Sequence, residues 1–316
     1  MARRKNSKFY DSPGLFDMID DDPVITPMEI PAAIPSLKYI SFGSGSSGNC
    51  AYLGTDKGGL LIDAGVDPER MIYPELARNG IPLSSIGGII LTHDHGDHVK
   101  YAYSILRQNR HIRLYCTPRT LAGILRRHNI SRRIKEYHQP IFREIPFRLA
   151  GFSITAFETA HDGSDNVGYH LASDGHTFVV ATDMGIISER ADFYMRQANY
   201  LMIEANYDRT MLLNGRYPEY LKRRIIGNVG HLDNAVTAKY LAEIYKPTLR
   251  NIFLCHLSED NNTPQTARSV VAEALKAVGI EAGDGSGSIE SRRAPVQLIT
   301  LPRFDSTGLI VLRNDA

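Results

Sequence analysis

The sequence predicts an α/β fold in which strands and helices alternate along most of the chain. Short apolar segments rich in isoleucine, leucine and valine recur between residues 37 and 312. Segments with apolar residues at helical spacing separate many of them. Several predicted strands also end in a histidine or an acidic residue. This third observation predicts a functional site along one edge of the sheets.

The composition is typical of a globular protein, with 43% apolar and 22% charged residues in a chain of 316. Such a length can bury a large core, as one big α/β domain or as two small ones. No apolar run approaches the ~20 residues that span a bilayer, and the basic N-terminus lacks the apolar stretch of a secretory signal. Three distant cysteines predict buried free thiols in a reducing compartment. We therefore expect a cytoplasmic protein without a membrane partner.

Residues 1–36 are acidic and rich in proline, which predicts an N-terminal tail or strap. The following chain predicts strands over residues 37–42, 50–53 and 59–62, and then a helix over 68–79. The loop over residues 43–49 is rich in glycine and serine but lacks the lysine ending of a P-loop. It is therefore either a tight hairpin loop or a phosphate-binding loop.

The densest signal is His93-Asp94-His95-Gly96-Asp97-His98, which follows a predicted buried strand over residues 87–91 and precedes an amphipathic helix. Gly96 allows the backbone to turn tightly there. In such a turn the histidines and Asp97 can converge as two pairs, whereas on a helix His93 and His95 would point to different sides. Imidazole and carboxylate together suit zinc, manganese or iron. We expect further ligands from elsewhere in the chain.

The remaining chain continues the alternation of strands and helices. Strands are predicted over residues 112–116, 152–157, 169–172, 177–181, 201–204, 251–255, 296–301 and 308–312. Helices are predicted over 117–128, 218–226 and 234–242 and from 263, with a Gly/Ser loop over 281–294. Polar residues that end strands are Asp63, His161, Asp183, Glu204 and His256. Asp63 is expected to orient the histidine-rich turn by accepting backbone hydrogen bonds.

This set of residues, in this order, resembles the metallo-β-lactamase fold superfamily over roughly residues 37–264. Residues 41–49, 230–232 and 256–262 further resemble the YycJ (WalJ) branch, which is associated with DNA exonuclease-type activity. The resemblance implies a four-layer αββα sandwich with two metal ions at its rim. It places one hydrolase domain over residues 37–316, behind the N-terminal tail.

The resemblance also implies a ligand set for two divalent ions, zinc or manganese, with iron as a further candidate. One ion would be held by His93, His95 and His161, the other by Asp97, His98 and His256, with Asp183 bridging them. Asp97 could also orient the attacking water, and His231 could donate a proton to the leaving oxygen. Asp63 and Glu204 are predicted to lie behind the ligands and support them.

A net charge of +1 hides a basic segment between Arg107 and Arg148, where eleven basic residues accompany only two acidic ones. A second basic cluster precedes His231. These charges predict contacts with nucleic acid from Arg126, Arg127, Arg132, Arg133, Arg223 and Arg224. A solvated basic face is the alternative interpretation.

The leading functional prediction is a metal-dependent phosphodiesterase or exonuclease acting on nucleic acid, with DNA as the expected substrate. The first alternative is hydrolysis of a small ester, thioester or lactam at the same metals. A second alternative is a non-catalytic metal-binding protein. It fits poorly, because seven ligands for two ions leave open positions for water.

Overall fold

The computed structural model describes residues 36–313, so the predicted tail over residues 1–36 lies outside the described residues except for Ser36. The strands are β1 (Ser36–Gly43), β2 (Cys50–Thr55), β3 (Gly58–Ile62), β4 (Ile86–Ile90), β5 (Arg113–Cys116), β6 (His138–Pro140), β7 (Phe147–Leu149), β8 (Phe152–Glu158), β9 (Val167–Ser173), β10 (His176–Ala181), β11 (Tyr200–Glu204), β12 (Asn251–Cys255), β13 (Ala282–Gly283), β14 (Val296–Thr300) and β15 (Ile310–Arg313).

The helices begin with a π-helical turn (Pro68–Ile72) that leads into α1. They are α1 (Tyr73–Arg78), α2 (Gly96–Val99), α3 (Ala102–Gln108), α4 (Pro118–Arg127), α5 (Glu189–Met195), α6 (Arg209–Asn214), α7 (Glu219–Ile226), α8 (Asn234–Ile244), α9 (Pro264–Ala277) and α10 (Ile289–Arg293). Short 3-10 turns lie at Leu83–Ser85 and Arg132–Tyr137. Local sequence explains two of the starts: Thr117 and Thr263 each accept a backbone N–H, and proline follows at the first helical position.

Within residues 36–313 the strands form two mixed sheets. A seven-stranded sheet has the order β15-β1-β2-β3-β4-β5-β6, and an eight-stranded sheet has the order β13-β14-β12-β11-β10-β9-β8-β7. Strands β3 to β6 are parallel, and so are β10, β11, β12 and β14. Because β8 and β10 both run antiparallel to β9, β8 points the same way as β10. The carboxyl ends of β8, β10, β11 and β12 therefore share one sheet edge.

Three large buried clusters in the described part of the chain separate four layers. In β10, Phe178 and Val180 pack between the two sheets, whereas Val179 and Ala181 pack under α5, α8 and α9. This alternation buries both faces of the strand. The third cluster lies between the seven-stranded sheet and the helices α1, α3 and α4. The order helix, sheet, sheet, helix confirms the predicted αββα sandwich.

The prediction of a loop over residues 281–294 is wrong, because this stretch contains β13 and α10. β13 pairs with β14, and the Ser288 side chain accepts the Ser291 N–H at the start of α10. Both elements are too short for a periodic sequence signal, and tertiary pairing holds them in place. The strands β6 and β7 and the helices α5 and α6 were not predicted from the sequence.

All three cysteines, Cys50, Cys116 and Cys255, are buried and unpaired, as predicted. Burial raises the pKa of each thiol, which keeps it protonated and unreactive. None of the helices described in residues 36–313 is long and apolar enough to cross a membrane. The cytoplasmic location and the domain boundary after residue 36 stay predictions.

Candidate metal centre

The histidine-rich loop follows β4 and enters α2, so a sheet edge fixes one end and a helix the other. His93 is 1% exposed, and its ring lies 4.1 Å from the His98 ring and 4.6 Å from the His95 ring. The Nδ1 atom of His93 lies 3.0 Å from the Thr92 hydroxyl, whereas its Nε2 atom is buried without a hydrogen-bond partner. Burying an imidazole nitrogen without a hydrogen-bond partner costs free energy, unless the nitrogen binds a ligand.

The first cluster joins His93, His95 and His161, whose ligand atoms lie within 4.8 Å of one another. His161 Nδ1 lies 2.9 Å from the carbonyl oxygen of Gly230. Because a carbonyl only accepts, this nitrogen carries the proton and Nε2 stays available as a ligand. The His95 ring uses Nε2 to contact Asp162 at 3.2 Å, so that Nδ1 faces His161 Nε2 at 3.3 Å.

The second cluster joins Asp97, His98 and His256, whose ligand atoms also lie within 4.8 Å of one another. The Nε2 atoms of His98 and His256 lie 3.5 Å and 3.4 Å from Asp97 Oδ2. On the far side of each ring, His98 Nδ1 lies 2.8 Å from the Asp63 carboxylate, and His256 Nδ1 lies 3.2 Å from the Glu204 carboxylate. Each imidazole is thereby held by its Nδ1 and presents its Nε2 to the centre of the site.

Asp183 lies between the two clusters and is 2% exposed. Its Oδ1 is 3.7 Å from His161 Nε2 and 3.4 Å from His256 Nε2, and its Oδ2 is 3.5 Å from His98 Nε2. One carboxylate therefore faces ligands of both clusters, which is the position that a bridging ligand needs. Its role as a metal ligand stays a prediction.

Three residues that follow strands at this edge have left-handed backbone conformations. Asp63, Asp183 and His256 have φ values of 60°, 56° and 54°. Such a conformation costs about 1–2 kcal/mol for a residue other than glycine. The contacts of these side chains hold the conformation, and backbone strain of this kind concentrates at functional sites.

The electrostatics of the site also fit bound cations. Burial opposes protonation of His98, but Asp63, Asp97 and Asp183 outweigh it and raise its pKa to about 9. Burial likewise opposes protonation of His256, yet Asp183, Asp97 and Glu204 raise its pKa well above the usual value. The carboxylates thus create a strongly negative potential in a buried site. Together with the unpartnered His93 Nε2, these buried clusters are typical of a site for two metal ions.

Asp63 and Glu204 lie where the sequence places them, behind the proposed ligands. Asp63 Oδ1 accepts the Thr92 N–H at 2.8 Å, so it ties the histidine loop to the end of β3. Glu204 is fully buried at the end of β11, and its Oε2 accepts the N–H groups of Met184 and Leu232. Their supporting roles in metal binding stay predictions.

His231 joins the site through Glu204, whose Oε1 lies 2.7 Å from His231 Nδ1. The ring stacks on His256 with centroids 5.2 Å apart, and its side chain is 16% exposed. Gly230 makes this approach possible, because a Cβ at that position would collide with the carbonyl oxygens of Arg224 and Ile225. With Nδ1 held by Glu204, Nε2 is the nitrogen that can serve a substrate.

Three residues at the site, Asn49, Asp162 and Asn206, were not predicted from the sequence. Asn49 Nδ2 lies 3.2 Å from Asp97 Oδ2 and 3.0 Å from His98 Nε2. Asn206 Nδ2 donates to the carbonyl oxygen of His256 at 2.7 Å. Asn49 lies in the motif over residues 41–49 and Asp162 lies next to His161, and this proximity to residues that carried the resemblance was the available signal. Asn206 lay in no such motif.

The glycine-rich loop over residues 43–49 connects the antiparallel strands β1 and β2, so the hairpin interpretation is the one the structure supports. It packs directly on the histidine loop, since the Asn49 N–H donates to the carbonyl oxygen of Asp97 at 2.8 Å. Gly65 lies at the same junction, where a Cβ would collide with the Asp97 carbonyl.

The predicted nucleic-acid contacts occupy different environments. Arg132 and Arg223 are exposed, and Arg133 is exposed and pairs with Glu136 at 3.0 Å. Arg126 donates to Ser164 at 2.9 Å, and Arg127 lies 3.5 Å from the buried carboxylate of Asp94. Arg224 pairs at 2.7 Å with Asp162, the residue that contacts His95. Several of these cations therefore already have partners within the protein.

Comparison with known proteins gives a consistent result. A model of the beta-lactamase superfamily domain matches residues 59–256. The chain is 30% identical over 251 residues to exodeoxyribonuclease YycJ of Bacillus anthracis, covering 78% of this chain and 92% of that protein. It is also 30% identical over 247 residues to exodeoxyribonuclease WalJ of Streptococcus pneumoniae, covering 78% and 91%.

A solved structure shows the same fold. The metallo-β-lactamase fold protein YhfI from Bacillus subtilis matches with a TM-score of 0.61 at 13% identity, covering 88% of this chain and 100% of that one. The four layers, the paired histidine–carboxylate clusters and these similarities agree. The chain belongs to the metallo-β-lactamase superfamily and is a metal-site hydrolase of that fold.

Proposed function

We propose that this hydrolase cleaves phosphodiester bonds in nucleic acid, that DNA is its substrate, and that it acts as an exonuclease. The observation that carries the substrate class is the 30% identity, over 78% of the chain, to proteins named exodeoxyribonucleases. The chemistry of the site agrees with it, because paired metal sites suit displacement at phosphorus.

The donor set suits two divalent ions, zinc or manganese, with iron as a further candidate. His93, His95 and His161 would hold one ion, and Asp97, His98 and His256 the other, with Asp183 shared between them. When bound, such a pair acidifies water and stabilises negative charge on phosphate oxygens.

The protein's own side chains would position the reactants and move the proton. Asp97 is the most exposed of the proposed ligands of the second ion, with a side chain 21% exposed, so it can accept a hydrogen bond from water that enters the site. His231 holds its Nδ1 proton against Glu204 and keeps Nε2 for the leaving oxygen. A protonated Nε2 would donate to that oxygen as the bond to phosphorus breaks.

The test is hydrolysis of end-labelled single- and double-stranded DNA and RNA by full-length protein loaded with Zn²⁺ or Mn²⁺. We expect stepwise release of nucleotides from DNA ends. The matched control is Asp183→Asn, which keeps the size of the side chain but removes the charge between the clusters.

The outcomes are distinct. Loss of DNA hydrolysis in the variant, with an unchanged fold by circular dichroism, supports the proposal. Cleavage of a lactam, ester or thioester by the wild-type protein, without any action on DNA or RNA, contradicts it and favours the small-substrate alternative.

A further inference from the structure

A second concave surface adjoins the metal centre, and we call it the rim pocket. It has a volume of about 440 Å³, which lies in the range of small-molecule sites. Phe42, Val66 and Met71 supply apolar lining, and Lys100 and Arg303 supply charge. The pocket therefore combines an apolar surface with cations.

The rim pocket and the metal centre share a wall. Gly48 and Gly65 line the pocket, and the neighbouring Asn49 contacts Asp97 on the other side. Gly65 is bonded to Asn49 through its N–H at 2.8 Å, which closes the wall. On the other flank the Arg303 guanidinium donates to the carbonyl oxygen of Leu257, the residue after His256. The rim pocket therefore directly adjoins the residues around Asp97 and His256.

Two cations of the pocket lie over aromatic rings. Lys100 Nζ is 5.0 Å from the centre of the Tyr101 ring, and Arg303 Cζ is 5.7 Å from the centre of the Phe304 ring. Phe304 is 61% exposed and lines the pocket, so its ring is open to a ligand there. Exposed aromatic rings beside cations are the features with which proteins bind single-stranded nucleic acid, through base stacking and phosphate neutralisation.

The charges around the pocket leave Lys100 available. Arg70 lies 3.9 Å from Asp67, and Arg303 lies 3.9 Å from Glu259. Within residues 36–313 no carboxylate forms an ion pair with Lys100. In the basic segment, by contrast, several arginines are already bonded inside the protein, as described above. The pocket thus offers an exposed lysine without an ion pair in the described part of the chain and, at Phe304, an exposed aromatic ring.

We propose that the rim pocket binds a nucleotide of a single-stranded DNA substrate that flanks the bond being cleaved. Phe304 stacks on its base, and Lys100 neutralises its phosphate. This inference rests on the proposed function for its substrate class. It places the DNA strand beside Asp97 rather than along the basic segment between Arg107 and Arg148.

The test compares Phe304→Ala, Lys100→Gln and the double variant in full-length, metal-loaded protein. Binding of a labelled oligothymidylate with phosphorothioate linkages is measured by fluorescence anisotropy at several salt concentrations. Loss of one stacked base corresponds to about 5- to 150-fold weaker binding. Loss of one phosphate contact should reduce the salt slope by about 0.7 in the log–log plot.

Two sets of controls define the comparison. Phe193→Ala removes an aromatic side chain that is 52% exposed on α5, and Lys239→Gln removes an exposed lysine on α8. Neither lines the pocket, so both should bind as the wild type does. The rival variant reverses the charge of four arginines of the basic segment together: Arg126, Arg127, Arg132 and Arg133.

Weakened binding in the Phe304 and Lys100 variants, with unchanged hydrolysis of bis-nitrophenyl phosphate, supports the inference. If both variants bind the oligonucleotide as the wild type does, the inference is overturned. It is also overturned if only the charge-reversal variant loses binding, or if the wild-type protein does not bind the oligonucleotide. If the wild type binds DNA through the pocket but hydrolyses none of it, the pocket stands and the proposed exonuclease function fails.

Discussion

The carboxylate of Glu204 links two histidines of the site, and its replacement by glutamine is the sharpest test of this arrangement. Oε1 lies 2.7 Å from His231 Nδ1 and 3.2 Å from His256 Nδ1. Oε2 accepts two backbone N–H groups, from Met184 at 2.9 Å and Leu232 at 3.2 Å. All four neighbours are donors, and the side chain is fully buried. Only a carboxylate satisfies them all.

Glu204→Gln keeps the shape but places an amide group against two of these donors. Each lost hydrogen bond to a charged group costs about 1.5–3 kcal/mol, so two cost about 3–6 kcal/mol. That is a large part of the total stability of about 5–15 kcal/mol that is typical of a domain. In the place of Oε2 the amide NH₂ would oppose two backbone N–H groups, which cannot move their protons. In the place of Oε1 it would oppose the two histidines, which can relieve the conflict only by moving their protons to Nε2. That shift would block the nitrogen of His256 that faces Asp97 and Asp183.

We therefore expect a lower free energy of unfolding in the metal-free variant and about 10- to 100-fold weaker metal binding. Denaturant unfolding measures the first quantity, and competition with a chromophoric chelator measures the second. The control is Glu243→Gln, whose side chain is 60% exposed and pairs with Arg196 at the surface. It should change stability by no more than about 0.5 kcal/mol. A Glu204→Gln variant with wild-type stability and wild-type metal affinity would refute this reasoning.

Three further predictions concern the same centre. Asp183→Ala should lose metal occupancy by elemental analysis and lose all hydrolysis, because its oxygens face both clusters; retention of two ions would contradict the bridging role. His231→Ala should keep both ions but slow hydrolysis by about 10²–10⁴-fold, and by less with a nitrophenolate leaving group. Equal losses on both substrates would favour a structural role. Loading the metal-free protein near neutral pH should release about two protons, from His98 with its pKa of about 9 and from His256, so metal affinity should fall as the pH falls. Titration calorimetry in buffers of different ionisation enthalpy measures this release, and a buffer-independent heat would count against it.

The sequence by itself determined the fold class and most of the strands that form the site edge. Apolar residues at every second position mark β8, and an isoleucine-rich run marks β4. Both patterns are local properties of the chain, so the sequence alone shows them. The histidine-rich loop could also be recognised from the sequence, since His93, His95, Asp97 and His98 lie within six positions. Residue types that end neighbouring strands must then meet at one edge.

Only the tertiary structure decided which side chains meet across that edge. Glu204 reaches His231 and His256, and Arg224 of the predicted nucleic-acid surface turns to Asp162 instead. The rim pocket likewise brings Lys100 and Phe304 to one surface, although they are far apart in the chain. Such contacts depend on how layers stack and on which buried polar atoms need partners. Hydrogen bonding and burial between residues far apart in the chain leave no periodic pattern in the sequence, so packing alone establishes them.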